Sequence, residues 1–226
     1  MAYLRIDNYQ LLDKASVSTK RLSRPIPPIP PREPPRSFEH LPPYDVYPKE
    51  CGNCAAWNAP RVPFKIYGNS YYVGVDGLSS VLITSENGHI LIDGGLPQSA
   101  ELIAKNIKQL GFSIKDVKWL LNSHAHYDHV GGLAALQRMS GAKIAASEDS
   151  AQAMKTGSAL ANDPQAGNGE AMNFPAISNI SVITDGERIG LGKKAVTATF
   201  TPGHSPGGTT WSWQSCEASK CVTLVF

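Results

Sequence analysis

Asn122-Ser123-His124-Ala125-His126-Tyr127-Asp128-His129-Val130-Gly131-Gly132 places three imidazoles and one carboxylate within six residues. The stretch follows an apolar run, Val117–Leu121, and precedes a helical pattern. Neutral imidazole and carboxylate are the side chains that zinc takes as ligands. A second stretch, Thr201-Pro202-Gly203-His204, repeats the arrangement of strand, turn and histidine. Together the two hold four of the six histidines, so the chain reads first as a metal protein.

His124 and His126 are two apart, which suits an extended or tightly turned segment. Helical zinc pairs sit four apart on one face. Asp128 and His129 follow where the chain turns into a helix, so one segment aims side chains in two directions. The simplest division gives His124 and His126 to one ion and Asp128 and His129 to another, with His204 as third ligand of the first. Three protein ligands and an open position form the catalytic pattern of zinc. Such an ion brings the pKa of bound water to about 7. The glycines Gly131, Gly132, Gly207 and Gly208 are expected to let the backbone pass close to the ions, and Gly203 to permit a sharp turn. His89, at a strand start, reads as structural, and His40 as solvated.

Outside this core pattern the chain divides at about residue 50. Ten of the seventeen prolines lie between Pro25 and Pro48. A segment so poor in backbone donors is expected to be extended polyproline II or disordered. The first fifty residues carry eight Lys/Arg and six Asp/Glu, leaving thirteen of each sign for residues 51–226. The neutral core argues against nucleic acid as the main partner. No run of eighteen apolar residues exists, so no membrane span is expected.

From Phe64 onward the runs Phe64–Tyr67, Ser70–Val75, Ser79–Thr84 and His89–Asp93 predict an antiparallel meander, with Asn87-Gly88 as a hairpin turn. Pro97 to Leu110 predicts a helix closed by Gly111. Val117–Leu121 and Lys143–Ala146 read as strands, with a helix over Val130–Ser140 between them. Ser147 is the expected N-cap of a further helix ending at Gly157. Residues 158–178 read as a long loop, which in a compact domain is usually functional. Ile180–Thr184, Ala195–Phe200, Thr209–Gln214 and Cys221–Phe226 complete the strands, and the pattern predicts an α/β sandwich.

At His124-Ala125-His126-Tyr127-Asp128-His129 the chain resembles the metallo-β-lactamase superfamily. It is most similar to the third subclass of zinc β-lactamases, whose first zinc site is three histidines. Phe64–Asn69, Tyr72–Gly74, Gly88–Gly94, Thr201–Gly208 and Trp211–Trp213 carry the same resemblance, which covers roughly residues 52–226. It implies an αββα sandwich that opens the lactam ring of penicillins, cephalosporins and carbapenems, a small-molecule substrate. It implies two zinc ions, the first on His124, His126 and His204, the second on Asp128 and His129 with a third ligand absent. Asp128 is also the candidate catalytic carboxylate. Asp93 is implied to support the metal loop from behind. Residues 157–175 correspond to a flap over the substrate groove, with Gly157, Gln165 and Asn168 as the groove candidates.

Cys216 and Cys221 match a hairpin disulfide of some relatives. Cys51 and Cys54 read as a disulfide or free thiols ahead of a zinc knuckle. Paired cysteines and the resemblance imply a periplasmic or secreted protein, whereas Met1–Lys20 lacks the apolar stretch of an export signal. No histidine follows His204. The expectation is therefore a C-terminally truncated fold, with strand 221–226 as an unpaired edge exposing apolar surface. The resemblance favours a zinc hydrolase acting on β-lactams. A lactonase or thioester hydrolase, a silent zinc-binding fragment, and an interaction protein working through the proline-rich segment are the alternatives.

Overall fold

The computed structural model describes residues 5–7 and 48–226. The polyproline reading of residues 25–47, and His40 with it, lies outside the described residues.

In chain order, a short strand β1 (Arg5–Asp7) and a helical turn α1 (Cys54–Trp57) precede a meander of β2 (Phe64–Tyr67), β3 (Ser70–Tyr72), β4 (Val81–Ser85) and β5 (Gly88–Ile92). The hairpin closes β4 on β5 through the two turn residues Glu86-Asn87, one position before the expected Asn87-Gly88, with Ser85 opposite Gly88. Helix α2 (Ser99–Gln109) leads through a 3-10 turn to β6 (Val117–Leu121), then α3 (Tyr127–Val130), α4 (Leu133–Ser140), β7 (Lys143–Ala146), α5 (Glu148–Thr156) and β8 (Ile180–Val182). The last four strands are β9 (Arg188–Leu191), β10 (Lys194–Phe200), β11 (Thr209–Glu217) and β12 (Lys220–Val225).

Strands β2 to β8 form one seven-stranded sheet in chain order, and β1-β12-β11-β10-β9 form a five-stranded sheet. The first four strands of the larger sheet pair antiparallel, while β5 to β8 pair in parallel. Successive side chains of a strand point to opposite faces, and both faces of the larger sheet are covered. Leu82, Leu91, Leu120 and Ile144 point to a helical layer built from Ile103, Ile107, Leu133, Leu136 and Met154. Their neighbours Val81, Ile83, Ile90, Ile92 and Leu121 point the other way, onto Val196, Ala198, Trp211, Trp213 and Leu224 of the five-stranded sheet. Strands buried on both sides read as nearly continuous apolar runs, as Val117–Leu121 does but for its exposed Lys118. Among the described residues the helices α2, α4 and α5 all lie on the outer face of the larger sheet, so three layers of the four-layer α/β sandwich are in place.

Three sequence expectations change. The single helix expected over Val130–Ser140 is two helices, broken at Gly131-Gly132. Hydrogen bonds from Gly94 N to His129 O (2.7 Å) and from Gly132 N to Gly95 O (3.2 Å) draw this junction against the exit of β5. The expected free edge at residues 221–226 is occupied: Arg5 pairs with Val225 and Asp7 with Thr223, and Leu224 and Phe226 are buried. Pairing satisfies the ladder groups that a bare edge would expose. Strand β9, absent from the sequence reading, pairs with β10 across a tight turn, and its Ile189 joins the inter-sheet core. It is short and carries only one buried apolar residue, so no alternating pattern announced it.

Candidate active site

Parallel strands end side by side, and loops at their carboxyl ends share one rim. Ile92, the last residue of β5, pairs with Leu121, the last of β6. The next residues, Asp93 and the Asn122–Ser123 pair, therefore meet. Asp93 is fully buried, with φ +61°, a left-handed conformation that Asp tolerates better than most side chains. Its carboxylate accepts Ser123 N–H at 2.6 Å, Ser123 Oγ–H at 2.7 Å and His129 Nδ1–H at 2.6 Å. A carboxylate standing behind a ligand histidine is the arrangement implied for Asp93, and its partner is His129. His126 then caps α3, placing Asp128 in the first turn and His129 in the last.

His204 comes from the loop between β10 and β11, which is fastened to the same rim. Thr209 N donates to Ser123 O at 2.7 Å, and the Trp211 indole donates to Asn122 O at 2.8 Å. Ser147, which caps α5, and Ser150 each donate a hydroxyl to Gly207 O at 2.9 Å. The expected role of the glycines changes accordingly. A Cβ on Gly132 would drive into the Gly94 carbonyl, and one on Gly207 into Ser150. These glycines serve close packing of backbone on backbone, and a side chain at Gly203 would meet nothing.

The hydrogen bonds fix which nitrogen each histidine turns inward. His124 Nδ1 meets Ser123 Oγ at 3.1 Å, leaving Nε2 buried with no partner. His126 Nε2 is held by Asp163 at 2.9 and 3.1 Å, so its Nδ1 faces His204 Nε2 at 3.2 Å. His129 Nδ1 is held by Asp93, and its Nε2 lies 3.5 Å from Asp128 Oδ2. Burial, then the neighbouring imidazoles, keep His124 far below the ordinary histidine range, and the same two causes lower His204. Burial also opposes protonation of His129, but the charge and hydrogen bond of Asp93, with Asp128, outweigh it and raise its pKa.

These residues fit zinc. A buried ring nitrogen without a partner costs free energy unless something accepts its lone pair, and His124 Nε2 is such an atom. Tetrahedral zinc with Zn–N near 2.0–2.1 Å sets its ligand nitrogens roughly 3.3 Å apart; the His126–His204 nitrogens stand at 3.2 Å. Two sets each have ligand atoms within 4.8 Å of one another: His124, His126 and His204, and His124, Asp128 and His129. His124 thus borders both.

His126, Asp128, His129 and His204 line a cavity of about 560 Å³, and His124 does not reach its wall. Trp57, Asp76, Gly77, Leu78 and Ser79 make one wall, and Tyr127 and Gln165 line it as well. The Asn106 side chain steadies the first wall by donating to Val73 O and Gly74 O. Of the three groove candidates, Gln165 lines the cavity, its amide 3.4 Å from His126 Nδ1. Gly157 and Asn168 do not line it: Gly157 is the left-handed C-cap of α5, packed under Phe174, and Asn168 is exposed on a 3-10 turn. The structure also brings in Asp163, which the sequence reading passed over. It is buried, and its carboxyl is held below the usual range: burial opposes this, but hydrogen bonds from Gln165 N–H, His126 and Ser205 prevail. Its one sequence signal was being the sole charged residue between Ser158 and Gly169.

The sequence pattern of the metallo-β-lactamase superfamily matches residues 73–217, which include every residue of both clusters. The chain belongs to the metallo-β-lactamase superfamily. Among solved superfamily structures it is similar to the Rm3 metallo-β-lactamase, with 49% identity and a TM-score of 0.74 over 77% of this chain and 64% of that one. A subclass B3 metallo-β-lactamase from a soil metagenome, MEM-A1, gives 49% identity and a TM-score of 0.73 over 75% of this chain and 64% of that one. Among curated proteins, an uncharacterised Bacillus subtilis protein, YobT, is 33% identical over 61% of this chain and 58% of its own length. A hydroxyacylglutathione hydrolase of Rhodospirillum rubrum is 26% identical, over 58% of this chain and 41% of that protein. An N-acyl homoserine lactonase of Bacillus cereus is 25% identical, over 56% of this chain and 54% of that protein. The chain therefore spans less than two thirds of the length of each of these proteins. The two disulfides, Cys216–Cys221 across the β11–β12 hairpin and Cys51–Cys54 ahead of α1, are both formed, so the choice left open for Cys51 and Cys54 falls to the disulfide.

Proposed function

We propose that this superfamily hydrolase is a zinc β-lactamase that opens the lactam ring of penicillins, cephalosporins and carbapenems, and so contributes to antibiotic resistance. The observation that carries the reading is the 49% identity to the Rm3 metallo-β-lactamase, combined with a three-histidine cluster of which His126 and His204 line the cavity. His124, His126 and His204 would hold the first ion, and Asp128 and His129 the second. Zinc at such a site supplies Lewis acidity toward a carbonyl oxygen and makes water a usable nucleophile at neutral pH.

The chain's own residues account for the rest. Ser123, Asp93 and Asp163 fix the ring orientations of the histidines before any substrate arrives. Asp128, which lines the cavity, would take a proton from attacking water. Trp57 and Leu78 offer an apolar wall against the substrate's side chain, and the Gln165 amide offers a polar contact at the rim. The two disulfides support a periplasmic or secreted location. Among the described residues no helix is long and apolar enough to cross a membrane.

Hydrolysis of a chromogenic cephalosporin by the purified chain, with and without chelator, tests the reading. Turnover lost on chelation and regained with zinc is expected; turnover indifferent to chelator would overturn it. The similarity to a hydroxyacylglutathione hydrolase and an N-acyl homoserine lactonase favours one second reading, a thioesterase or lactonase. A higher kcat/KM on a glutathione thioester or an acyl lactone than on any β-lactam would select it.

A further inference from the structure

We propose that Asp163 is a positioning residue that locks the 158–171 segment onto the His126 ring, so that ordering of this segment and retention of metal at the three-histidine site are one coupled event. The inference rests on the reading of His124, His126 and His204 as zinc ligands.

The segment between Gly157 and Met172 rests on very little. Asp163 is its only buried residue; the rest are partly or fully exposed. Beyond it the chain is held by the core through Met172, Phe174 and Ile177. Lys49 adds a clasp there, donating from Nζ to Asn173 O at 3.0 Å. The first half packs Leu160 against the core and has one buried polar anchor, Asp163, whose partner is a ligand side chain from a different element. Both carboxylate oxygens of Asp163 lie within 3.1 Å of His126 Nε2, and Oδ1 also accepts Gln165 N–H at 2.8 Å.

A buried carboxylate without partners would be strongly unfavourable. Here its partners are the imidazole N–H, the Ser205 hydroxyl and the backbone turn that it closes, so the segment cannot leave without exposing the carboxylate or orphaning these donors. The same contact dictates the metal-facing atom. With the proton on Nε2, the lone pair of His126 sits on Nδ1, toward His204 Nε2. If the segment lifts, the ring is free to rotate and to change tautomer. Whatever fixes His126 from the metal side therefore holds Asp163 in place, and by linkage whatever holds Asp163 tightens the metal. Gln165, two residues on, is carried to the cavity by the same anchor.

The test uses the full chain and two readouts besides turnover: zinc affinity by competition with a chromophoric chelator, and the rate of limited proteolysis within 158–171 with and without zinc. In the unsubstituted chain zinc should slow cleavage of the segment. Asp163→Ala should lose about 10–100-fold in zinc affinity, the range seen when the partner of a ligand histidine is removed, and zinc should no longer protect the segment. Asp163→Asn keeps the shape and one acceptor and should fall between the two; it carries the test if the alanine variant does not fold. Glu170→Ala, in the same segment with an exposed side chain, should change neither readout. Zinc bound equally well by the Asp163 variants and the unsubstituted chain would overturn the inference while leaving the zinc reading intact. A failure of the unsubstituted chain itself to bind zinc would overturn both.

Discussion

Replacing Asp93 should be among the most damaging single changes available in this domain. Its side chain is fully buried and accepts from two buried donors, Ser123 N–H and His129 Nδ1–H, at 2.6 Å each. Asp93→Ala orphans Ser123 N–H and leaves His129 Nδ1–H only the Ser123 hydroxyl at 3.1 Å, and a buried donor that loses its partner costs about 1–3 kcal/mol. The left-handed backbone at φ +61° adds about 1 kcal/mol, because alanine lacks the local hydrogen bonds that let Asp adopt it. Taking about 1.5 kcal/mol for each donor gives a total near 4 kcal/mol, within the range for breaking one side of a buried pair. Asp93→Asn tolerates the backbone and can still accept from Ser123 N–H, but it presents an amide where a charge stood. It should cost about 1–2 kcal/mol, the loss of one charge-assisted hydrogen bond. Urea denaturation of the metal-free variants measures both values. Zinc competition should show the His129 side weakened by about 10–100-fold in either variant. A destabilisation below about 1 kcal/mol for Asp93→Ala would refute the account of Asp93 as the hub of this network.

Gly132→Ala should cost about 1–3 kcal/mol by overpacking, since its Cβ meets the Gly94 carbonyl, and should weaken zinc binding because Gly94 and His129 share a hydrogen bond; denaturation and zinc titration check the two effects together. Trp211→Ala should cost about 3–5 kcal/mol as a fully buried side chain. Trp211→Phe keeps most of the apolar volume but leaves Asn122 O without its indole donor, so its loss in denaturation should be the smaller. Cys216→Ser with Cys221→Ser should cost only about 2 kcal/mol, because the loop closed by residues five apart is short; thermal unfolding of the double variant, compared with the reduced parent, checks it.

The layers of the fold were written in the sequence wherever local chemistry and burial agree. Val117–Leu121 is apolar but for the exposed Lys118, because both faces of β6 are otherwise covered, and it could be bounded to the residue. Asn87-Gly88 signalled the β4–β5 hairpin to within one position, and Ser147 and Gly157 marked the two ends of α5. Elements whose identity depends on a distant partner were not legible. Strand β1 exists by pairing with β12, more than two hundred residues away. The break at Gly131-Gly132 reflects the approach of Gly94 and Gly95 from another strand. Nothing in the local sequence of either records that contact.

The site divides in the same way. The sequence alone determined the candidate metal-ligand set, because the two-residue spacing of His124 and His126, the acid at Asp128 and the separate turn at His204 are properties of residue type and order. The tertiary structure decided which nitrogen of each ring faces inward, which residues stand behind them, and which parts of the long loop reach the cavity. Asp163 lies thirty-seven residues from His126, yet holds its Nε2. Gly157 and Asn168 are as near to it in sequence as Gln165 or nearly so, yet do not line the cavity. Hydrogen bonds between side chains act over about 3 Å in space, and only the folded chain sets those distances.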